Sequence, residues 1–131
     1  TEPIAERRLE VAGEPGRFVT VKIGKPCPDP VGDWVCPVHI DGMEVEPQHG
    51  RGVDATQALM EAFSAVRYML DQSGLDLSWD IAGPGITAYP TLVPYFLGRE
   101  FQTKIERMIE REVKKFAKAA GGPKSSRSKR M

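Results

Sequence analysis

Two hydrophobic periods divide this chain. Through its first half, apolar and polar residues alternate. Leu9 and Val11 share one face of a stretch from Ala5 to Val11, and Val19, Val21 and Ile23 share one face of Phe18 to Ile23. Trp34, Cys36, Val38 and Ile40 do the same in a third stretch, and Met43 to about Gln48 is read as a fourth that pairs back through the Asp41-Gly42 turn. A period of two is the mark of half-buried strands. Pro26, Pro28 and Pro30 stiffen the loop after the second strand, and Pro37 predicts an edge or a bulge in the third.

From Asp54 the period changes. Ala55, Ala58, Leu59, Ala62, Phe63, Val66, Met69 and Leu70 recur at helical spacing. Asp54 is an N-cap, Gln57 completes a capping box, and Gly74 ends the element, so a helix is expected over about 54–73. Residues 75–81 alternate again and predict a further strand. Tyr89 to Leu97 is apolar but interrupted by Pro90 and Pro94. A long C-terminal helix is expected over about 99–118, striped by Phe101, Ile105, Met108, Ile109, Val113 and Phe116. Glu100 with Lys104 and Glu110 with Lys114 stand at supporting i,i+4 spacing. The expected fold class is α+β: an antiparallel β-meander of about four strands, a helix packed across it, another strand and the long helix. A single α+β domain over 1–120 and a basic, disordered tail over 121–131 are expected.

Charge adds a second division. The chain of 131 residues carries 18 basic and 18 acidic side chains, a net of zero. Residues 114–131 hold seven basic residues and no acidic one: Lys114, Lys115, Lys118, Lys124, Arg127, Lys129 and Arg130. An acidic body therefore ends in a basic segment suited to an anionic partner. The tail lacks aromatic stacking groups, so sequence-independent phosphate contact is the nucleic-acid mode it fits. No apolar run is long enough for a membrane span. The opening residues lack a secretory signal, and two cysteines make no disulfide framework, so a cytoplasmic protein is expected.

Candidate chemistry is sparse. Cys27, Cys36, His39 and His49 are the only soft ligands. Cys36 and His39 lie three apart on one strand and so on opposite faces, which gives no metal site. No nucleophile elbow, Walker motif or dinucleotide fingerprint occurs, and no cofactor is expected. His49 and Arg51, beside Gly50, Gly52 and the start of the first helix, form a candidate anion site. Tyr95 and Phe96, beside Pro94, form a candidate apolar contact surface.

The pairing of Val21-Lys22-Ile23-Gly24-Lys25-Pro26 and Gly32-Asp33-Trp34-Val35-Cys36 with Gly52-Val53-Asp54-Ala55-Thr56-Gln57-Ala58-Leu59 resembles a family of small uncharacterised bacterial domains. The likeness covers about residues 4–74. It implies a fold and a bacterial origin but no catalytic residues. The capped, alanine-rich helix from Gly52 to Leu70 is loosely similar to antitoxins of the HicB type, which implies toxin and DNA binding. The leading expectation is a non-enzymatic protein-interaction module, alone or as a homo-oligomer. The alternatives are a nucleic-acid-associated protein using the basic tail and a small enzyme of unknown class.

Overall fold

Every second residue of Phe18–Gly24 is buried, and Val19, Val21 and Ile23 anchor the sheet that results. A computed structural model describes residues 2–121. The chain divides into two compact units, Thr1–Leu92 and Val93–Met131.

Among its described residues the first unit holds seven strands and one helix. They are β1 (Pro3–Val11), β2 (Phe18–Gly24), β3 (Cys27–Pro28), β4 (Trp34–Cys36), β5 (Val38–Asp41), β6 (Gly50–Gly52), α1 (Ala55–Gln72) and β7 (Leu77–Ser78). Two antiparallel sheets form, ordered β5-β2-β1-β7 and β3-β4-β6. The α+β class and the antiparallel sheets match the expectation from periodicity.

Three local readings need correction. The third predicted strand breaks at Pro37, so β4 joins one sheet and β5 the other. Pro37 has no N–H to give a ladder, and its carbonyl instead accepts the Gly24 N–H at 2.8 Å. The fourth predicted strand, Met43 to Gln48, forms no ladder, and β6 pairs with β4 farther along. Pro47 cannot donate there, and the Val38 N–H is taken by His49 Nδ1 at 3.1 Å. The strand over 75–81 shrinks to β7, because Trp79 N–H turns to the Ile86 carbonyl at 2.9 Å.

Helix α1 covers the core. Ala58, Ala62, Val66, Met69 and Leu70 are buried against Leu9, Val19, Val21, Ile23, Cys36 and Val38. Asp54 caps it by accepting the Gln57 N–H at 2.8 Å, and Gln57 Oε1 accepts the Val53 N–H at 2.7 Å. A Cβ on Gly50 would overlap the Ala58 carbonyl oxygen and the Ala62 backbone. One on Gly52 would lie 2.6 Å from Gln57 Cβ. These two glycines let α1 lie directly on the backbone of β6, where alanines supply the other half of the close fit.

The segment after β7 is held by two arginines. The Arg7 guanidinium lies 3.6 Å over the Trp79 ring and 5.2 Å from the Tyr89 ring centre, and donates to the Thr87 carbonyl at 3.0 Å. Arg67 of α1 donates to the Tyr89 carbonyl at 3.0 Å. Between the two clamped carbonyls, Ala88 takes φ of 64°, a conformation that disfavours a side chain. Tyr89 is buried, with its ring 6.2 Å from that of Phe63.

The second unit contains α2 (Arg99–Ala119), one residue longer than expected. Gly98 precedes it at φ 96° with no side-chain cap.

Candidate interaction surface on the C-terminal helix

Helix α2 is amphipathic by sequence, yet none of its residues is buried. Ile109 is 51% exposed, Val113 61% and Phe116 74%. An apolar face of this kind normally forms because something covers it. Just before the helix, Tyr95 and Phe96 are also exposed, with ring centres 6.3 Å apart in an edge-to-face arrangement. The apolar segment Tyr89 to Leu97 straddles two units: Tyr89 belongs to the core of the first, and Tyr95 and Phe96 to the surface of the second.

At about 100° per residue, the apolar side chains of α2 occupy a stripe about 140° wide. Glu106 and Glu110 border one side. Lys104, Arg111 and Lys115 border the other, and Arg107, Lys114 and Lys118 continue that basic face around the back. Gln102, a polar member of the stripe, donates from Nε2 to Glu106 at 3.0 Å. Glu112 also falls within the stripe, between Phe101 and Ile105 in angle, and pairs with Lys115 at 3.3 Å. Among the described residues this is the ion pair α2 forms; the expected Glu100–Lys104 and Glu110–Lys114 pairs do not close. Lys104, Arg107, Arg111, Lys114 and Lys118 thus present a basic face without an ion pair among the described residues. Lys124, Arg127, Lys129 and Arg130 lie outside the described residues.

The division into units is also a division of charge. Residues 1–92 carry 7 basic and 14 acidic side chains, and residues 93–131 carry 11 basic and 4 acidic. The two units bear equal and opposite net charge. Sequence inspection places the change at residue 114, whereas the fold moves the boundary back to the start of the second unit.

The titratable groups of the first unit serve structure. His49 accepts the Val38 N–H at Nδ1, and Arg51 pairs with Asp29 at 3.4 Å. At the start of α1 the Asp54 carboxylate already occupies the place an anion would take. His39 Nε2 lies 2.7 Å from Asp41, whose other oxygen is 2.8 Å from Lys22 Nζ. The hydrogen bond from Lys22 holds the Asp41 carboxyl below its usual range, and Asp41 raises the ammonium of Lys22 in return. These groups stand on the solvent side of the β2–β5 pair, where Lys22 faces His39 and Thr20 faces Asp41. Burial pushes the Cys36 thiol up, and its Sγ donates to the Gly24 carbonyl at 3.3 Å. Cys27 is exposed, and both thiols are free. Among the described residues, no group of three or more histidine, cysteine or carboxylate side chains is placed to hold a metal. No described helix is long and apolar enough to cross a membrane.

Residues 5–88 match the family model described as Domain of unknown function (DUF6968), and the chain belongs to that family. No curated protein and no solved structure matches it. The family region lies within the first unit, so α2 and its charged faces fall beyond it.

Proposed function

We propose that this protein is a non-enzymatic interaction module whose contact element is helix α2. The observation that carries the reading is the apolar stripe of α2, exposed from Met108 to Phe116. Burying those side chains on a partner is favourable by roughly 25 cal/mol per Å² of apolar area. The first unit, closed around its own core, acts as the carrier for that helix.

The test is a photo-crosslinking amino acid placed at Phe116, in the stripe, or at Arg107, on the opposite face, in cells that make the full chain. Macromolecular adducts are expected from position 116 and not from 107. Equal labelling, or none at 116, would sink the reading.

A second reading has its own support in the basic face of α2, which stands opposite the stripe and leaves five cations without an ion pair among the described residues. Lysines and arginines so arrayed suit a phosphate backbone, bound without regard to sequence. In a bacterial, antitoxin-like setting, this face and the basic tail would contact nucleic acid. The affinity for duplex DNA would then fall steeply with salt, and Arg107→Gln with Arg111→Gln and Lys114→Gln would flatten that slope. Binding that ignores salt, or that the triple variant leaves intact, would remove this reading.

A further inference from the structure

We infer that the occupant of the α2 stripe is the same stripe on a second copy of this chain, with the two helices parallel about a two-fold axis. The inference rests on the interaction reading above and names its partner.

The orientation follows from the flanks of the stripe. One flank carries Glu106 and Glu110, the other Lys104, Arg111 and Lys115. When two identical helices pair in parallel about a two-fold axis along their length, the acidic flank of each meets the basic flank of its partner. When they pair antiparallel, the axis crosses the helices and each flank meets its own copy. Acid would then face acid and base face base along the whole contact. Like charges at such close range are unfavourable, and several of them decide the orientation. Two first-turn residues break the pattern, Arg99 on the acidic flank and Glu100 on the basic back. Glu112 stands within the stripe, between Phe101 and Ile105 in angle, and is the one like-charge contact of the parallel pair; Lys115 of its own helix, at 3.3 Å, offsets part of it, and the flank pairs outnumber it.

The same geometry leaves the back of each helix free. Arg107, Lys114 and Lys118 point away from the stripe and stay in water in the pair. The acidic flank has no such alternative use, because Glu106 already holds Gln102 beside the stripe. Self-pairing therefore covers the apolar side chains and matches the two borders, at the cost of the one Glu112 contact, whereas a nucleic acid would match only the back.

The experiment uses the full chain with Cys27→Ser, since Cys27 is exposed and Cys36 is buried. Ile105→Cys and Phe116→Cys are introduced separately, and the chains are oxidised under mild conditions. A parallel pair brings each position opposite itself, so both variants give disulfide-linked dimers. An antiparallel pair can bring only one position face to face with itself, and the favoured product is then a bond between position 105 of one chain and 116 of the other. Light scattering on the chain without introduced cysteines measures the dimer. Glu106→Lys with Glu110→Lys, which makes both flanks basic, is expected to weaken it about tenfold. Adding Lys104→Glu, Arg111→Glu and Lys115→Glu to that chain exchanges the flanks and restores the dimer.

Crosslinks in the mixed pattern alone, or a monomer up to millimolar concentration, would overturn the inference. A monomer whose Phe116 position still captures a different macromolecule in cells would leave the interaction reading standing. A monomer without adducts would remove both.

Discussion

Gly50 and Asp41 show how differently single residues contribute to this fold. At Gly50 the methyl of alanine would collide with the backbone of α1 at Ala58 and Ala62. A backbone collision has no flexible side chain to absorb it, so helix and strand must separate. Gly50→Ala is expected to cost about 3 kcal/mol, at the upper end for overpacking, as read from the urea midpoint. A loss below about 0.5 kcal/mol would show that α1 does not seat on β6 as described. Asp41 stands in water, and its effect appears through pH. Its folded pKa is lowered by Lys22, so it contributes stability above the usual carboxylate range and loses it as pH falls through the folded value. Lys22 is raised, so its contribution holds below the usual lysine range and is lost as pH rises through the folded value. Asp41→Asn should therefore lower the urea midpoint at neutral pH, with the gap to wild type closing as pH falls below the usual carboxylate value of about 3.9. A gap that persists in acid would assign the effect to packing instead.

At the scale of elements, what the sequence disclosed depended on whether the cause was local. Helix α1 was legible to within a residue or two because Asp54, Gln57 and Gly74 mark its ends and its apolar face repeats every turn. The strands β1 and β2 were legible because they alternate. The fate of Met43 to Gln48 was not, because it turns on His49 taking the Val38 N–H across eleven residues. The exposed stripe of α2 was hidden for a related reason: periodicity announces an apolar face but not what lies against it. The segment 79–92 is the clearest case of long-range control. It has almost no regular structure, yet Arg7, about eighty residues before Thr87, fixes it through Trp79, Thr87 and Tyr89. Nothing local marks Arg7 as different from Arg8, whose guanidinium lies 4.2 Å over Phe18 instead. Arg7→Met keeps the apolar stem but removes the hydrogen bond and the cation over Trp79. The expected loss is about 1–2 kcal/mol, with a red shift in tryptophan emission as Trp79 gains water. Unchanged emission and stability would mean that Tyr89 and Arg67 hold the segment unaided.

For the whole molecule the decisive fact is that two units of equal and opposite charge share one chain. A net charge of zero divided between two segments of opposite sign gives little net repulsion between copies and an attraction between unlike segments. That attraction acts over the Debye length, about 30 Å at 0.01 M salt and about 10 Å at 0.1 M. The apolar stripe of α2 acts at contact and is barely screened. The two forces therefore separate on a salt axis. At about 0.01 M salt, light scattering should show association beyond the dimer that grows with concentration, because each acidic unit attracts basic segments of several other copies. Near physiological ionic strength this excess should vanish and leave the dimer. Ile109→Ser with Phe116→Ser should abolish the dimer at high salt while preserving the low-salt association, since no charge has changed. Glu106→Lys with Glu110→Lys should do more than weaken the dimer: by raising the positive charge of the second unit it should also strengthen the low-salt association. If the stripe variant instead loses both, the apolar contact is the root of all self-association and the opposite charges of the two units serve other partners.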